Sequence, residues 1–254
     1  MTVLVNKRII VTGSTSGLGR AIALDAARAG ARVVVTGRRE AEARETVSWI
    51  EVDGGEAVSV TGDMRSSAFA ERLVETAVRQ YGGLDGLVNA AGMIVRATAE
   101  GTSDDDWHEQ MSLNVDSVFY ASRAAVPVIR EGLGGSIVNI ASTCGKVGAA
   151  GLAGYCASKG AVISLTQAMA LEHADERVRI NSVSPGAVDT PMLAGGHDES
   201  VTLDQVKAAN LESIPQGRIP EPAEIAQLVT FLLSDASTHI TGTDIAIDGG
   251  YTAQ

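Results

Sequence analysis

Two cysteines, four histidines and a shortage of positive charge set the first limits on this 254-residue chain. Cys144 and Cys156 cannot make a disulfide framework, and such sparing use implies a reducing, cytoplasmic setting. His108, His173, His197 and His239 are scattered, and no HExxH or CxxC spacing occurs, so no metal site is expected. Lys and Arg number 20 against 31 Asp and Glu, a formal net charge of −11. That balance argues against nucleic acid or an anionic membrane surface as the main partner. No apolar run approaches the ~20 residues that span a bilayer. Residues 1–6 lead directly into a strand-like segment, so no signal peptide is expected.

What the chain does have is a regular alternation. Apolar residues make up 45% of it, enough for a full core. Short β-branched runs at 8–12, 32–36, 57–61, 86–89, 136–140, 178–184 and 244–247 read as buried strands. Helical patterns fall between them, over 17–29, 40–52, 66–81, 155–173 and 222–233, and over 104–130 with a break inside it. Gly30 closes the first helix, Ser66 caps the third, and Pro222 sits at the start of the last. Every crossover is long enough for a helix. The fold class expected is therefore α/β: a three-layer, doubly wound, Rossmann-type parallel sheet of about seven strands with helices on both faces. No repeat, linker or domain boundary is visible, so residues 1–254 read as one dinucleotide-binding and catalytic domain. The weakly patterned stretch at about 189–217 reads as a substrate lid.

Between the first strand and first helix runs Thr12-Gly13-Ser14-Thr15-Ser16-Gly17-Leu18-Gly19. Glycines permit a tight turn and close backbone approach, and the helix start aims free N–H groups at an anion. The spacing is GxxxGxG rather than GxGxxG. Placed after the first strand of an alternating chain, it reads as a dinucleotide phosphate cradle. A reader of NAD carries a carboxylate at the end of the second strand to hold the ribose 2′-OH. Here that place is Gly37, followed by Arg38 and Arg39. Nothing there repels a 2′-phosphate and a guanidinium can grip one, so NADP(H) is favoured over NAD(H). The opposing reading has both arginines solvated beside Glu40 or Glu42.

The helix over 155–173 opens with Tyr155-Cys156-Ala157-Ser158-Lys159. Residues four apart share a helix face, which sets a phenol beside an ammonium. A nearby positive charge favours the phenolate and lowers its pKa. Such a pair is suited to passing a proton to or from an oxygen.

With these pieces placed, the chain closely resembles the short-chain dehydrogenase/reductase family, in its compact single-domain branch, over essentially its whole length. Residues 12–19 resemble the family's TGxxxGxG loop, and Tyr155 with Lys159 its YxxxK pair. Asn89-Ala90-Ala91-Gly92 resembles the NNAG turn with one Asn replaced by Ala90, and Asn114 and Ser142 match its catalytic asparagine and serine. The resemblance implies a cofactor set of Gly13 to Gly19 in full (Gly13, Ser14, Thr15, Ser16, Gly17, Leu18, Gly19), then Arg38, Asp63, Met64 and Asn89 to Gly92. It adds Tyr155, Lys159, Pro185, Gly186, Val188 and Thr190. Asn89 by its own chemistry favours a structural role, tying adjacent strands.

The resemblance further implies reversible hydride transfer between nicotinamide C4 and a ketone or secondary alcohol. Tyr155 would be the general acid or base, and Lys159 would lower its pKa and hold the nicotinamide ribose. Ser142 would stabilise charge on the substrate oxygen, and Asn114 would hold a water linking Lys159 to solvent. The pocket segments, 93–95, 143–154 and the lid, are small and mostly apolar, with Arg96 and Lys146 the nearby cations. That suits a compact or moderately apolar substrate. A 3-oxoacyl thioester reductase and a nucleotide sensor without turnover are the alternatives. A homotetramer is expected, paired through the helices at 115–128 and 155–173.

Overall fold

Seven strands form one sheet in the order β3-β2-β1-β4-β5-β6-β7 in the computed structural model, which describes residues 3–197 and 200–254. The strands are β1 (Arg8–Val11), β2 (Arg32–Gly37), β3 (Glu56–Thr61), β4 (Gly86–Asn89), β5 (Gly135–Ile140), β6 (Val178–Pro185) and β7 (Asp244–Ile247). Every neighbouring pair is parallel. Strands in such a sheet are buried on both faces, which is why they appear in the sequence as unbroken apolar runs.

Alternation along the strands divides the core. Ile9, Val11, Val33 and Val35 pack beneath α1 (Gly17–Arg28), α2 (Glu40–Val52) and α9 (Pro222–Leu233). Ile10, Val34, Leu87 and Ile137 pack beneath α3 (Ser67–Tyr81), α5 (Ser117–Glu131) and α6 (Ala153–Glu172) on the other face. The expected break within 104–130 is real: α4 (Asp104–Met111) passes through a π-helical turn, Ser112–Asp116, into α5.

Two segments differ from the sequence reading. The Tyr155 helix begins at Ala153, before Gly154, so Tyr155 lies within the first turn rather than at its start. The stretch at 189–217 is not without pattern. It holds α7 (Pro191–Ala194) and α8 (Leu203–Ser213). α8 opens on a capping box in which Thr202 Oγ1 accepts from the Gln205 N–H, and the Gln205 side chain accepts from the Thr202 N–H. Asp198 and Glu199, also in that stretch, lie outside the described residues, as do Met1 and Thr2.

The strand order reverses between β1 and β4, and in doubly wound sheets the ligand crevice opens at such a point, beyond the carboxyl ends of the strands. Thr12, 1% exposed, joins the two turns that form it: its Oγ1 accepts from the N–H groups of Ala90 at 3.0 Å and Ala91 at 3.1 Å.

Candidate active site

A cavity of about 610 Å³ runs along this carboxyl edge. One end is walled by Gly13, Thr15 to Gly19, Gly37 to Arg39, Asp63, Met64 and Ala90 to Gly92. The other end is walled by Ile94, Arg96, Ser142, Cys144, Leu152, Tyr155, Lys159 and the lid. Pro185, Gly186, Val188 and Thr190 line the wall as well.

The glycine loop has no room for a side chain at Gly13 or Gly19. A Cβ on Gly13, where φ is +68°, would lie 2.8 Å from Ala91 Cα, and one on Gly19 would lie 2.4 Å from the Gly13 carbonyl oxygen. Ser16 occupies the N-cap of α1 and yet makes no capping bond. Its Oγ instead accepts from Arg39 Nη2 at 3.0 Å. Ser66, Ser103 and Thr202 all cap their helices with their side chains. The start of α1 therefore keeps its orphan N–H groups for an anion. These features fit the diphosphate of a dinucleotide.

Two residues assigned to the cofactor by resemblance do not wall the cavity. Ser14 is fully buried, donating to the Val11 carbonyl at 2.7 Å and accepting from the Thr36 N–H at 2.9 Å. Asn89 is 3% exposed and donates to Asn139 Oδ1 at 2.8 Å and Ser122 Oγ at 3.1 Å, the strand-tying role its chemistry favours. Arg38 is exposed at the rim of the cavity, and Arg39 also meets Glu42 at 3.4 Å. Asp63 is held by Arg65, whose guanidinium keeps its carboxyl below the usual range.

At the other end, α6 brings Tyr155 and Lys159 to one face, and β5 delivers Ser142. Ser142 Oγ accepts from the Cys144 N–H at 3.1 Å, which leaves its own hydrogen to donate. Lys159 is 5% exposed and spends one of its three donors on the Ile140 carbonyl at 2.8 Å. Asn114 is fully buried and does not wall the cavity. Its Nδ2 donates to the Met93 carbonyl and to Ser158 Oγ, its Oδ1 accepts from the Met93 N–H, and Ser158 in turn donates to the Tyr155 carbonyl. It thus braces the catalytic turn of α6. A Cβ on Gly92 would lie 3.2 Å from Asn114 Oδ1 and 3.7 Å from Lys159 Nζ, so Gly92 keeps these two groups accessible to each other.

The electrostatics correct one expectation. In the chain by itself the Tyr155 pKa is raised rather than lowered. Burial raises the phenol well above its ordinary value, Cys144 adds to the rise, and Ser142 and Arg96 oppose it. Burial also pulls the Lys159 ammonium down to about 8. The ammonium lies 5.7 Å from the ring centroid, and loss of water outweighs attraction at that range.

The sequence reading missed Thr12 as the tie between turns and Gln110, which is 1% exposed and holds the Val95 N–H at 2.8 Å. It marked 189–217 only as a segment, within which Asn210, Ser213 and Ile214 line the cavity. The capping box at Thr202 was the one local signal that could have found that helix.

Comparison with known proteins gives the class. The family model described as enoyl-(acyl carrier protein) reductase matches residues 13–252. A 2,5-dichloro-2,5-cyclohexadiene-1,4-diol dehydrogenase from Sphingobium indicum is 37% identical over 249 residues, 98% of this chain and 97% of that one. Cyclohexanol dehydrogenase from an Acinetobacter species is 37% identical over 251 residues, 98% of this chain and 96% of that one. The crystal structure of a short-chain type dehydrogenase/reductase from Mycobacterium marinum is 33% identical with a TM-score of 0.93, covering 100% of this chain and 98% of that one. The chain belongs to the short-chain dehydrogenase/reductase family. It is a nicotinamide-dependent oxidoreductase that acts on CH–OH groups and the corresponding ketones.

Proposed function

We propose that the protein is an NADP(H)-preferring dehydrogenase/reductase of compact secondary alcohols and ketones, with Ser142, Tyr155 and Lys159 as its catalytic residues and Asn114 as their support. The observation that carries this reading is one continuous cavity joining an uncapped helix start to a buried Ser142–Tyr155–Lys159 cluster. The bound nicotinamide would supply or accept hydride at C4. Tyr155 gives a proton to the substrate oxygen in reduction and takes it in oxidation. Ser142 donates a hydrogen bond to that oxygen as charge develops on it. Lys159 has donors left for the nicotinamide ribose and for relaying the proton past Asn114. Arg38 and Arg39 at the rim supply charge for a 2′-phosphate.

The relatives named for ring alcohols support a compact substrate, as do the apolar walls at Ile94, Leu152 and Met192. We read the chain as one catalytic unit closed by the lid at 189–217, working as a homotetramer. Phe119 on α5 and Leu171 on α6, 40% and 83% exposed, support association through those helices. Two free thiols fit a reducing, cytoplasmic setting. The test is cofactor-dependent turnover of a panel of cyclic ketones and alcohols, followed as reduced nicotinamide absorbance with each cofactor. Nicotinamide binding without any turnover would favour the sensor reading instead.

A further inference from the structure

We propose that Arg96 is the receptor for an anionic group on the substrate, so that the alcohol or ketone turned over is also a carboxylic acid. This rests on the redox reading of the same cavity and names the substrate class it takes.

The segment 93–97 forms no helix or strand beyond an isolated bridge at Ala97, and its alternate residues are tied down. Met93 exchanges two hydrogen bonds with the buried Asn114 side chain, at 2.8 and 2.9 Å. The Val95 N–H donates to buried Gln110 at 2.8 Å, and Ala97 pairs with Leu152 just before α6. The residues between, Ile94 and Arg96, both line the cavity, whereas Met93, Val95 and Ala97 do not. Arg96 is therefore aimed by three anchors, each from an element that also positions the catalytic turn.

Its guanidinium is only partly engaged. Nε donates to the Gly195 carbonyl of the lid at 3.0 Å, and the stem runs alongside Gly196, where a Cβ would lie 3.6 Å from Arg96 Cγ. That accounts for one of five N–H donors. Among the described residues no carboxylate lies within ion-pair distance of Arg96, whereas Lys146 has Asp244 at 3.0 Å. Asp248, which also lines the cavity, has its oxygens taken by Gly250 and Thr252. The groups facing Arg96 electrostatically are Tyr155 and Cys144, and burial lowers its pKa. A partly desolvated guanidinium with no counter-charge among the described residues is costly, and a carboxylate on the substrate would offset that cost with a planar, bidentate partner. Arg96 and Tyr155 line the same cavity, so a carboxylate held by Arg96 would share it with the reacting oxygen.

The test compares 3-oxocyclohexanecarboxylate with its uncharged primary amide, as kcat/KM at saturating reduced cofactor. The wild type should favour the acid by roughly ten- to a hundredfold, the size of one or two charge-assisted hydrogen bonds. Arg96→Leu should bring the ratio to about one, and Arg96→Lys should restore part of it. A ratio near one in the wild type, or a ratio unchanged in Arg96→Leu, overturns the proposal. An arginine that merely latched the lid would slow both substrates alike and leave the ratio unmoved. If neither ketone is reduced, the redox reading fails separately. Calorimetric titration of the cofactor-loaded protein with unreactive cyclohexanecarboxylate then decides: binding that Arg96→Leu abolishes supports the anion site, and no binding to the wild type overturns it.

Discussion

The two ends of the cavity are built from different materials. At the nucleotide end the wall is largely backbone: at Gly13 and Gly19 a single added carbon would collide with the main chain of Ala91 and Gly13. At the substrate end the wall is side chains carried on two loops and a lid, among them Ile94, Arg96, Cys144, Leu152 and Met192. A backbone wall recognises what every dinucleotide shares and tolerates no change. A side-chain wall can be replaced residue by residue without disturbing the sheet, and specificity can therefore reside there.

The sharpest way to break this contrast is to cut the junction between the ends. Tyr155→Phe should lower kcat by about 10²–10⁴-fold, the usual worth of acid–base catalysis, with cofactor affinity unchanged because the ring still packs. A variant that retains more than about a third of wild-type kcat would remove Tyr155 from the chemistry.

Gly19→Ala and Gly148→Ala set a glycine of the nucleotide wall against an exposed glycine beside the substrate end. A Cβ at Gly19 would lie 2.4 Å from the Gly13 carbonyl oxygen, whereas one at Gly148 would have nothing within 4 Å. Displacing the loop should weaken cofactor binding by roughly ten- to a hundredfold, as one or two charge-assisted bonds are lost. The Gly148 change should leave both Kd and kcat as they were. Equal effects in fluorescence titrations of reduced cofactor would end the distinction.

The pH profile probes the junction without mutation. Lys159 is held down to about 8 and Tyr155 above its ordinary value, so the first proton to leave the pair leaves near 8. That proton is the one on Lys159, which would exchange it with the substrate oxygen through the Tyr155 hydroxyl. Alcohol oxidation needs the pair short of one proton, so its kcat/KM should climb about tenfold per pH unit and level off above that point. Ketone reduction needs the proton present and should be level below that point and fall above it. Profiles flat from about pH 6 to about 10 would contradict the coupling.

Cofactor choice is where a side chain intrudes on the nucleotide end. Arg38→Leu with Arg39→Leu should cut the NADP-to-NAD ratio of kcat/KM by about tenfold, given the exposure of both groups. Adding Gly37→Asp alone should not complete the reversal, because its Cβ would lie 2.6 Å from Thr15 Cγ2. Thr15→Ser removes that carbon and should let the aspartate work. A full reversal without the Thr15 change would mean that the threonine moves freely. The smallest effect belongs to the lid: Thr202→Ala should loosen the start of α8 by about 1 kcal/mol. Hydrogen exchange would show it locally, with kcat little altered.

The sheet was legible almost residue by residue, since parallel strands buried on both faces advertise themselves as apolar runs ended by Gly or polar residues. The break inside 104–130 was legible as well, and it proved to be the π-helical turn that carries Asn114. The helix α8 was not, because it buries only Val206 among its residues and so lacks an apolar stripe. Ser14 and Asn89 sit within recognisable motifs and still turn inward, which motif position alone does not disclose.

By itself the sequence determined the order of strands and helices, the glycine loop at the sheet's switch point, and a phenol and an amine one helical turn apart. All of these depend on spacing along one stretch of chain. Only the tertiary structure decided the directions in which the pKa values of that pair move and the cavity that Arg96 lines. Burial of Tyr155 and Lys159 is imposed by residues from β5, the 93–97 segment and the lid, and Arg96 is aimed by Asn114, Gln110 and Leu152. Desolvation and hydrogen-bond geometry depend on neighbours in space, and no local pattern along the chain encodes them.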